Sequence, residues 1–516
     1  MALIVLTYLW MCCTFMGTRG GLVFAMLLAG MAAPAAQITV TTNDSYTKIE
    51  SAQSGDEVVI SPGTYAFRVY LTKAATNTIT IRALDPANRP VWDFGTNFLD
   101  NVPGSYTAGD KARGAWQFSG AKNYSISGIV FRNSRNAVTN AGGIRYYNGT
   151  TNLYIKNCRF EFNDNGLTGG TGDSQATVEF CEFSTNGNAH GSLSAPTHNI
   201  YIYGGYLSMR YCYVHDSAQG QNFHIRCRDA TLEYNWFARA NNYDGDLMTD
   251  DDFTGAGPYT QVLTLRGNLF IQNPLPGNHS QAIAIYNDEG VTNLTMTVRA
   301  LYNTYVGANT NAAFVHVSNA DGTRMNAQIY NNIIYGTKTT SLVEDAVHST
   351  VIGGNNWIQT NATPGPLTNS IQSASPGFRN PATKDYTLTN GSPRIGVATA
   401  SIYGLPGKEY FQNEVTNSQW RIRSAARDVG AFESTSTNNP VGPYDSFPRP
   451  TLNIKRSGTN ALLSWPLFAQ DFLLLQSTQL LATGWTTAPY SYSTDLTAVS
   501  LSAPVTTSKS FFRLRK

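Results

Sequence analysis

Three runs of alternating apolar and polar residues follow one another in the middle of the chain. They read NIYIY, NFHIRCR and DLMTD, and Ile200, Phe223 and Leu247 occupy matching positions 23 and 24 residues apart. Successive side chains of a β-strand point to opposite faces, and a repeat of 20 to 50 residues is typical of coils stacked into a solenoid. The pattern therefore predicts an all-β solenoid in which each run adds one strand to a parallel sheet.

A second motif recurs along the chain and ends each time in an apolar residue. The position two before that residue is, in order, Ile129, Cys158, Cys181, Cys212, Asn235, Asn268, Asn303, Asn332 and Asn356. Stacked coils bring equivalent residues to about 4.8 Å, so this column predicts an internal ladder in which buried asparagine amides bond to one another. The cysteines are expected to be small apolar rungs, although the spacing also permits one disulfide. No cysteine or histidine spacing is typical of a zinc site.

Both ends of this region carry further signals. Ser45–Ala52 has helical signals, and the string AQSGDEVVISPGTY after it resembles the opening of many right-handed parallel β-helix proteins, including the pectate-lyase-like polysaccharide lyases. Later, DYTL, GSP and DVGAFE resemble the terminal segment of bacterial β-helix proteins. The resemblance implies a right-handed, single-stranded parallel β-helix whose first coil is capped by a helix.

The chain divides into four predicted segments. Residues 1–35 are expected to be a signal peptide, with translation starting at Met16 as one possibility, because an apolar run precedes Ala33-Pro34-Ala35. Residues 36–434 form the β-helix, residues 435–450 a linker, and residues 451–516 a small β-sandwich-like domain. We expect a protein secreted to the periplasm or the cell surface of a bacterium, monomeric and without stable membrane insertion once the signal is removed.

One outer face of the predicted solenoid carries the candidate chemistry. If Ile200, Phe223 and Leu247 point inward, the residues one, three and five positions after them and one position before them point outward. This face contains Tyr201, Tyr203, His224, Arg226, Arg228, Met248, Asp250 and Asp252, with Asn199, Asn222 and Asp246 at the preceding positions. It therefore brings tyrosines, a histidine, two arginines and several carboxylates onto consecutive coils.

The resemblance implies a polysaccharide lyase that cleaves a uronic-acid-containing glycan by β-elimination. The enzyme must neutralise the uronate carboxylate while a base removes the proton on C5. We predict His224 as the base, Tyr201 as the donor to the leaving oxygen, and Arg226 as a further catalytic residue beside the carboxylate. The predicted substrate-binding residues are Arg228, Tyr203, Asn199, Asn222 and His198.

A calcium-dependent form of this reaction is the alternative at the same face. Asp246, Asp250 and Asp252 would then hold Ca²⁺ through hard oxygen ligands, and Arg226 would be the base. The aspartates lack the spacing of a known calcium loop.

Two other functions fit the same residues. A glycoside hydrolase would use a pair of carboxylates on an acidic polysaccharide, and a non-catalytic cell-surface protein would only bind the glycan. Nucleic acid is not an expected partner, because the net charge is only +2 and charged residues make up 14% of the chain.

Overall fold

The structure covers most of the chain after residue 34, and its first strand begins at Gln37. The computed structural model describes residues 35–106, 112–187, 197–249, 258–274, 281–287, 294–308, 313–319, 324–336, 349–367, 369–399, 404–411, 418–424, 427–435, 437–480, 484–495, 498–505 and 510–516. Ala36–Lys516 belongs to one compact unit. In the described part of the chain, no helix is long and apolar enough to span a bilayer. Apart from Ala35, the predicted signal peptide lies outside the described residues.

Each coil of the solenoid contributes up to three short strands. They are β1 (Gln37–Val40), β2 (Glu57–Ile60), β3 (Thr64–Tyr65), β4 (Val69–Leu71), β5 (Ala74–Ala83), β6 (Val91–Asp93), β7 (Gly114–Ser119), β8 (Lys122–Ser127), β9 (Val130–Arg132), β10 (Gly142–Tyr147), β11 (Thr151–Lys156), β12 (Arg159–Glu161), β13 (Asn165–Gly169), β14 (Gln175–Glu179), β15 (Glu182–Ser184), β16 (Ile200–Ile202), β17 (Tyr206–Arg210), β18 (Tyr213–His215), β19 (Phe223–Ile225), β20 (Asp229–Glu233), β21 (Trp236–Ala238), β22 (Gly245–Met248), β23 (Tyr259–Arg266), β24 (Leu269–Ile271), β25 (Gln281–Asn287), β26 (Leu294–Leu301), β27 (Thr304–Val306), β28 (Ala313–Asn319), β29 (Arg324–Tyr330), β30 (Ile333–Tyr335), β31 (Ser349–Gln359) and β32 (Asn369–Ser373).

These strands stack into three parallel sheets. Sheet I contains β1, β2, β5 and every third strand to β29, followed by β31 and β32; sheet II contains β3, β6 and every third strand to β30; sheet III contains β4, β7 and every third strand to β28. β31 extends both sheet I and sheet II. The chain visits the sheets in the order I, II, III, and such crossovers between parallel strands are almost always right-handed. The prediction of a right-handed parallel β-helix is confirmed.

The corner between sheets I and II contains the predicted ladder. Asn235 Nδ2 donates to Asn268 Oδ1 at 3.1 Å, and the same bond continues to Asn303, Asn332 and Asn356. All five asparagines are fully buried. Their amides satisfy one another and turn carbonyls, which avoids the free-energy cost of unpaired buried polar groups.

The cysteines continue this ladder towards the N-terminus. Cys158, Cys181 and Cys212 are buried and not disulfide-bonded, and Cys227, which is inward-facing elsewhere, is also free. The backbone N–H of Cys212 donates to Asn235 Oδ1 at 2.9 Å, so the two parts of the ladder are continuous. The expectation of small apolar rungs is confirmed for these residues.

One left-handed residue per coil makes this corner sharp. Phe180, Tyr211 and Tyr234 have φ of 57°, 57° and 55°, and each immediately precedes a ladder residue. A left-handed non-glycine residue costs about 1–2 kcal/mol, and here the aromatic side chains regain contact by packing on one another. The ring centroids of Phe180 and Tyr211 are 5.1 Å apart.

A second buried ladder occupies the corner between sheets II and III. Amide Nδ2 groups donate from Asn163 to Asn186 and from Asn186 to Asn199, both at 2.8 Å, then from Asn199 to Asn222 at 2.9 Å. Asn222 Nδ2 donates to Asp244 Oδ1 at 3.2 Å, which ends the series with a carboxyl group. The sequence interpretation missed this ladder.

A short helix covers the first coil, as predicted. Helix α1 (Tyr46–Glu50) places Ile49 fully in the core cluster. Asp56 of the GD string accepts hydrogen bonds from the backbone N–H groups of Gln53 at 2.7 Å and Ala36 at 2.8 Å, and these bonds lower the pKa of its carboxyl group. The helix and the first strand are therefore fastened to the same turn.

Antiparallel hairpins and a small β-sandwich follow the coils. They comprise β33 (Phe378–Asn380), β34 (Asp385–Leu388), β35 (Lys408–Phe411), β36 (Gln419–Ile422), β37 (Asn453–Ser457), β38 (Asn460–Pro466), β39 (Leu473–Ser477), β40 (Thr486–Thr487), β41 (Ser493–Thr494), β42 (Ala498–Pro504) and β43 (Phe511–Arg515), with 3₁₀ helices at Leu99–Asn101, Pro381–Thr383 and Leu467–Ala469. The sandwich pairs one sheet, β37-β38-β42-β41, with a second, β40-β39-β43. The boundaries 434 and 451 stay predictions.

The C-terminal region is anchored to the corner between sheets I and II. Asp471 lies between Arg210 Nη1 at 2.8 Å and Lys408 Nζ at 3.1 Å, while the Trp420 ring stacks on Tyr211 with centroids 5.5 Å apart. These contacts cover one side of the coils. The outer face of sheet III lies on another side.

Candidate functional site

The outer face of sheet III carries a column of polar side chains in register. Tyr201 of β16 pairs with His224 of β19, and His224 pairs with Asp246 of β22. Their inward neighbours Ile200 and Phe223 also pair and are fully buried. The predicted register of the first two coils is therefore what the structure shows, and His224 lies on the outer side of the wall.

The predicted register of the third coil is wrong by two residues. Leu247 pairs with Ile225, and the position below Phe223 is occupied by Gly245. A Cβ on Gly245 would lie 1.9 Å from the Phe223 ring, so only glycine fits there. Because the sequence interpretation required an apolar side chain at every inward position, it placed Asp246 one step before the column instead of within it.

His224 and Asp246 form a buried pair. His224 Nδ1 lies 3.0 Å from Asp246 Oδ2, and the side chains are 13% and 2% exposed. Burial, and then the positive charge of Arg226, lower the pKa of His224 to about 3. Burial raises the pKa of Asp246 to about 7, against the opposing effects of His198, Tyr243 and Arg226. His224 is therefore a neutral imidazole near pH 7.

The other ring nitrogen of His224 is the distinctive atom of this site. Nε2 is buried, and no described residue of the chain bonds to it. When Asp246 is ionised, it accepts a hydrogen bond from Nδ1–H of His224. The imidazole proton then stays on Nδ1, and Nε2 carries a lone pair. The tautomer is inferred from this hydrogen bond, and it is the one that a general base requires.

Two aromatic rings hold His224 in place. The His198 and His224 ring centroids are 4.8 Å apart, and Tyr201 meets the His224 ring edge-on at 4.9 Å. The backbone N–H of Gln221 donates to His198 Nδ1 at 3.1 Å. Burial lowers the pKa of His198 to about 3, so it is neutral. The structure brings His198, Tyr201 and His224 together, although it buries His198 instead of exposing it.

The predicted arginines have different environments. Arg226 is buried, and its Nε donates to the backbone oxygen of Thr249 at 3.2 Å, which holds its charge near His224. Arg228 is more exposed, and its guanidinium contacts Tyr259 Oη at 2.9 Å and Asp173 Oδ1 at 3.1 Å. Of these two arginines, only Arg226 affects the ionisation of the His224–Asp246 pair.

Tyr203 connects the outer face of sheet III to an earlier coil. It packs against Tyr201 with ring centroids 5.5 Å apart, and Arg145 Nη2 donates to its hydroxyl at 3.2 Å. Arg145 also lies over the Tyr147 ring at 4.2 Å. Sequence reasoning missed Arg145, although it pairs with Thr168, which pairs with Tyr201, so that it shares their outer face.

The outward placement predicted for Asn199 and Asn222 is wrong. Both are fully buried in the second ladder, where each amide already has an asparagine and a backbone carbonyl as partners. Asp244, the last member of this ladder, was also missed. Burial raises its pKa to about 8, and its Oδ2 has no hydrogen-bond partner among the described residues.

Of the three predicted calcium ligands, only Asp246 lies among the described residues. The described residues contain no group of three or more His, Cys, Asp or Glu that could hold a metal ion. Asp246 is committed to His224, and a carboxyl group whose pKa is raised by burial is a poor ligand for a hard cation. Asp250 and Asp252 lie outside the described residues, so calcium binding there stays a prediction.

Other cavities of the described structure lie away from His224. One of about 510 Å³ opens in the C-terminal sandwich, and one of about 250 Å³ is lined by Trp236, Arg379, Arg421 and neighbouring residues. Cavity size alone would therefore point away from His224. The charge and hydrogen-bond pattern of sheet III distinguishes its outer face as the candidate reactive site.

Comparisons with known proteins give matches in structure alone. No protein-family model matches the sequence, and no curated protein matches it significantly. Among solved structures, pectate lyase Pel9A matches 78% of this chain and 96% of its own, at 14% identity and a TM-score of 0.43. An alginate lyase from Paenibacillus sp. FPU-7 matches over 62% of this chain and 99% of its own, at 13% identity and a TM-score of 0.36. The tailspike protein of Acinetobacter baumannii bacteriophage Fri1, a capsular polysaccharide depolymerase, matches over 93% of this chain and 83% of its own, at 12% identity and a TM-score of 0.37.

Proposed function

We propose that this protein is a polysaccharide lyase that cleaves a uronic-acid-containing glycan by β-elimination at the outer face of sheet III. The observation that carries the proposal is the neutral, buried His224, whose Nδ1 is oriented by Asp246 while Nε2 has no described partner. A base of this kind can remove a proton from carbon without first losing its own.

The reaction balances with residues of adjacent coils. His224 Nε2 takes the proton from C5 of the uronate, the electron pair forms the double bond between C4 and C5, and the C4–O bond breaks. The hydroxyl of Tyr201, whose ring is 4.9 Å from His224 between centroids, gives a proton to the departing oxygen. After the products leave, His224 releases its added proton to solvent and Tyr201 takes one proton back from solvent.

Arg226 supplies the positive charge that this chemistry requires. Loss of the C5 proton places negative charge on the uronate carboxylate, so a fixed cation stabilises the transition state more than the ground state. The guanidinium is always charged, and Thr249 fixes its position by accepting from Nε. The same charge also keeps His224 unprotonated.

The geometry of the carboxyl groups favours elimination over hydrolysis. A glycosidase needs two carboxyl groups that flank the same glycosidic bond. Asp246 points outward to His224, whereas Asp244 bonds inward to Asn222. Asp244 precedes β22 and lies at the corner, so these two carboxyl groups do not face a common substrate.

We propose export from the cell on chemical grounds. A polymeric uronate is an extracellular substrate, and the apolar segment that precedes Ala33-Pro34-Ala35 has the pattern of a signal peptide. The acidic polysaccharide is then the partner of the mature protein.

The test is a screen of the secreted protein on alginate, polygalacturonate and glycosaminoglycans, with and without a chelator. Ultraviolet absorbance of unsaturated uronate and the number of new reducing ends are measured together. We expect both to rise on at least one polymer, and to rise without metal. New reducing ends without absorbance would indicate a hydrolase, depolymerisation only without chelator would favour the calcium alternative, and no cleavage of any polymer would favour a binding protein.

A further inference from the structure

The interior of the C-terminal sandwich is filled by leucine side chains at one end and by smaller and polar side chains at the other. At one end Leu463 pairs with Leu501 in the first sheet and Leu474 pairs with Leu514 in the second, and these inward side chains close a hydrophobic core. Two residues further along β38 and β42, the corresponding pair is Ala461 and Ala503. The inward positions that strand alternation reserves for large apolar residues are therefore filled by alanine.

The facing sheet is polar at the same level. Gln476 pairs with Thr486 on one side and with Phe512 on the other, so one row holds an amide, a hydroxyl and an aromatic ring. Together with the alanines and Tyr490, this row lines the cavity of about 510 Å³. The cavity is the open end of the sandwich, where the interior stops being packed.

A merely structural sandwich has no reason to keep this arrangement. Unfilled core space and inward polar groups both destabilise a fold, and a larger apolar residue at Ala461 or Ala503 would fill the space. Ligand pockets, in contrast, combine apolar walls with a few polar groups in a concave site. The pattern is that of a binding site.

The lining also indicates the charge of the ligand. None of the described residues that line the cavity is Asp, Glu, Lys, Arg or His. The polar groups are the Gln476 amide and the hydroxyls of Ser477, Thr478, Thr486, Tyr490 and Ser510. Such groups pair with uncharged hydroxyls, and aromatic rings such as Tyr490 and Phe512 pack on the apolar face of a ring-shaped ligand.

We propose that this cavity binds an uncharged sugar unit of a polysaccharide. The site is separate from His224 and does not depend on lyase activity, because none of its lining residues belongs to sheet III. It takes a different chemical class as well, since the outer face of sheet III offers charges to a uronate. The sandwich would hold the protein on a neutral glycan that accompanies the acidic substrate.

The experiment is affinity electrophoresis of the full chain in gels that contain a neutral glucan, galactan or mannan, with alginate as the charged comparison. We expect at least one neutral polymer to retard the wild type. Ala503→Leu, which fills the cavity, and Gln476→Ala should each weaken that retardation at least tenfold. Ser502→Leu is the matched control, because it adds the same side chain at the adjacent exposed position of β42 and should leave retardation unchanged.

The outcomes separate this proposal from the lyase proposal. Tm of each variant shows whether it is folded, and Ala503→Leu should be at least as stable as the wild type. Absence of retardation by every neutral polymer, or retardation that Ala503→Leu and Gln476→Ala leave intact, would overturn the sugar site. Depolymerisation of a uronate polymer should be the same in all three variants.

Discussion

Two histidines on neighbouring faces of the same coils have opposite environments. His215, at the end of β18 in sheet II, has Nδ1 at 2.6 Å from Asp216 and Nε2 at 3.4 Å from Glu182. His224, in sheet III, has Nδ1 on Asp246, and no described residue bonds to its Nε2. Burial alone would lower the pKa of both, but hydrogen bonds that His215 donates to Asp216 and Glu182 raise the pKa of His215.

The difference shows which face performs chemistry. His215 belongs to a closed network, since Arg239 also donates to Asp216, from Nε and Nη2 at 2.8 Å each. Nothing in that network is left to act on a substrate. His224 is neutral and has one nitrogen that no described residue uses, so of these two histidines it is the one with a lone pair available to accept a proton.

Replacement of His224 should have the largest effect. His224→Gln keeps a polar side chain of similar size but removes the base, so we expect kcat on the uronate polymer to fall by about 10²–10⁴-fold. Steady-state kinetics by absorbance of the unsaturated product measures this. The matched control, His215→Gln, should lower Tm and leave kcat within a few-fold. Equal losses of kcat in the two variants would remove the distinction between the faces.

Replacement of Asp246 should have the next largest effect. Asp246→Asn keeps the shape of the side chain but no longer offers a carboxylate to Nδ1–H of His224. Loss of a group that orients a reacting residue typically lowers activity by about 10–100-fold. We expect the loss in kcat with KM nearly unchanged. Asp216→Asn is the matched control, because Asp216 contacts Nδ1 of His215 as Asp246 contacts Nδ1 of His224, and it should leave kcat unaffected. A loss confined to KM would indicate that Asp246 contacts substrate instead.

The pH dependence of activity follows from the same pair. His224, with a pKa of about 3, stays neutral, but Asp246 with a pKa of about 7 is protonated at lower pH and then donates to Nδ1. The proton of the His224 imidazole would then lie on Nε2. The tautomer with an unprotonated Nε2, which can act as a base, therefore appears only as Asp246 ionises. We expect kcat/KM to rise about tenfold per unit up to pH 7 and then level. Asp246→Asn should abolish this rise, and a wild-type profile flat from pH 5 to 8 would contradict it.

The second ladder should show the smallest effect, on stability. The pKa of Asp244 is raised by burial to about 8, so the fold favours its protonated form. Its contribution to stability is full below the ordinary pKa of the carboxyl group and is lost as pH rises through about 8. Asp244→Asn would complete the ladder, and we expect it to increase the free energy of unfolding at pH 9 by about 1–3 kcal/mol and little at pH 5.

Urea unfolding at pH 5 and pH 9 measures this change. Asp216→Asn is the contrasting variant, because the pKa of Asp216 is lowered by its hydrogen bonds from His215 and Arg239, against the effect of burial. It should be destabilising at both pH values. If Asp244→Asn were destabilising at pH 9, Asp244 would have a partner that the ladder does not supply.

The repeat structure could be predicted because it depends on residues that recur. One inward residue per coil, from Cys158 to Asn356, stacks on the equivalent residue of the coils before and after it. Its surroundings are therefore alike in each coil, and similar residues recur at this position in the sequence. The outward register of Tyr201 and His224 follows from the same alternation. Helix α1 and the C-terminal antiparallel strands had equally local signals.

The details of the site could not be predicted because they depend on exceptions to the repeat. Gly245 is small since the Phe223 ring fills its space, which shifts Asp246 into the column. Asn199 and Asn222 face inward at a corner, where strand alternation no longer applies. Asn186 and Asn199 are ladder neighbours only 13 residues apart, so a search for one constant period overlooks them.

The most direct test of the His224 assignment is the mass of the products that wild type and His224→Gln form from a uronate polymer. Elimination adds no water, so wild-type products should be lighter by one water than the corresponding hydrolysis products and should carry one unsaturated terminal residue. His224→Gln should form almost none of them, while His215→Gln should form them at the wild-type rate. Products that contain the added water, or unsaturated products formed undiminished by His224→Gln, would contradict the account.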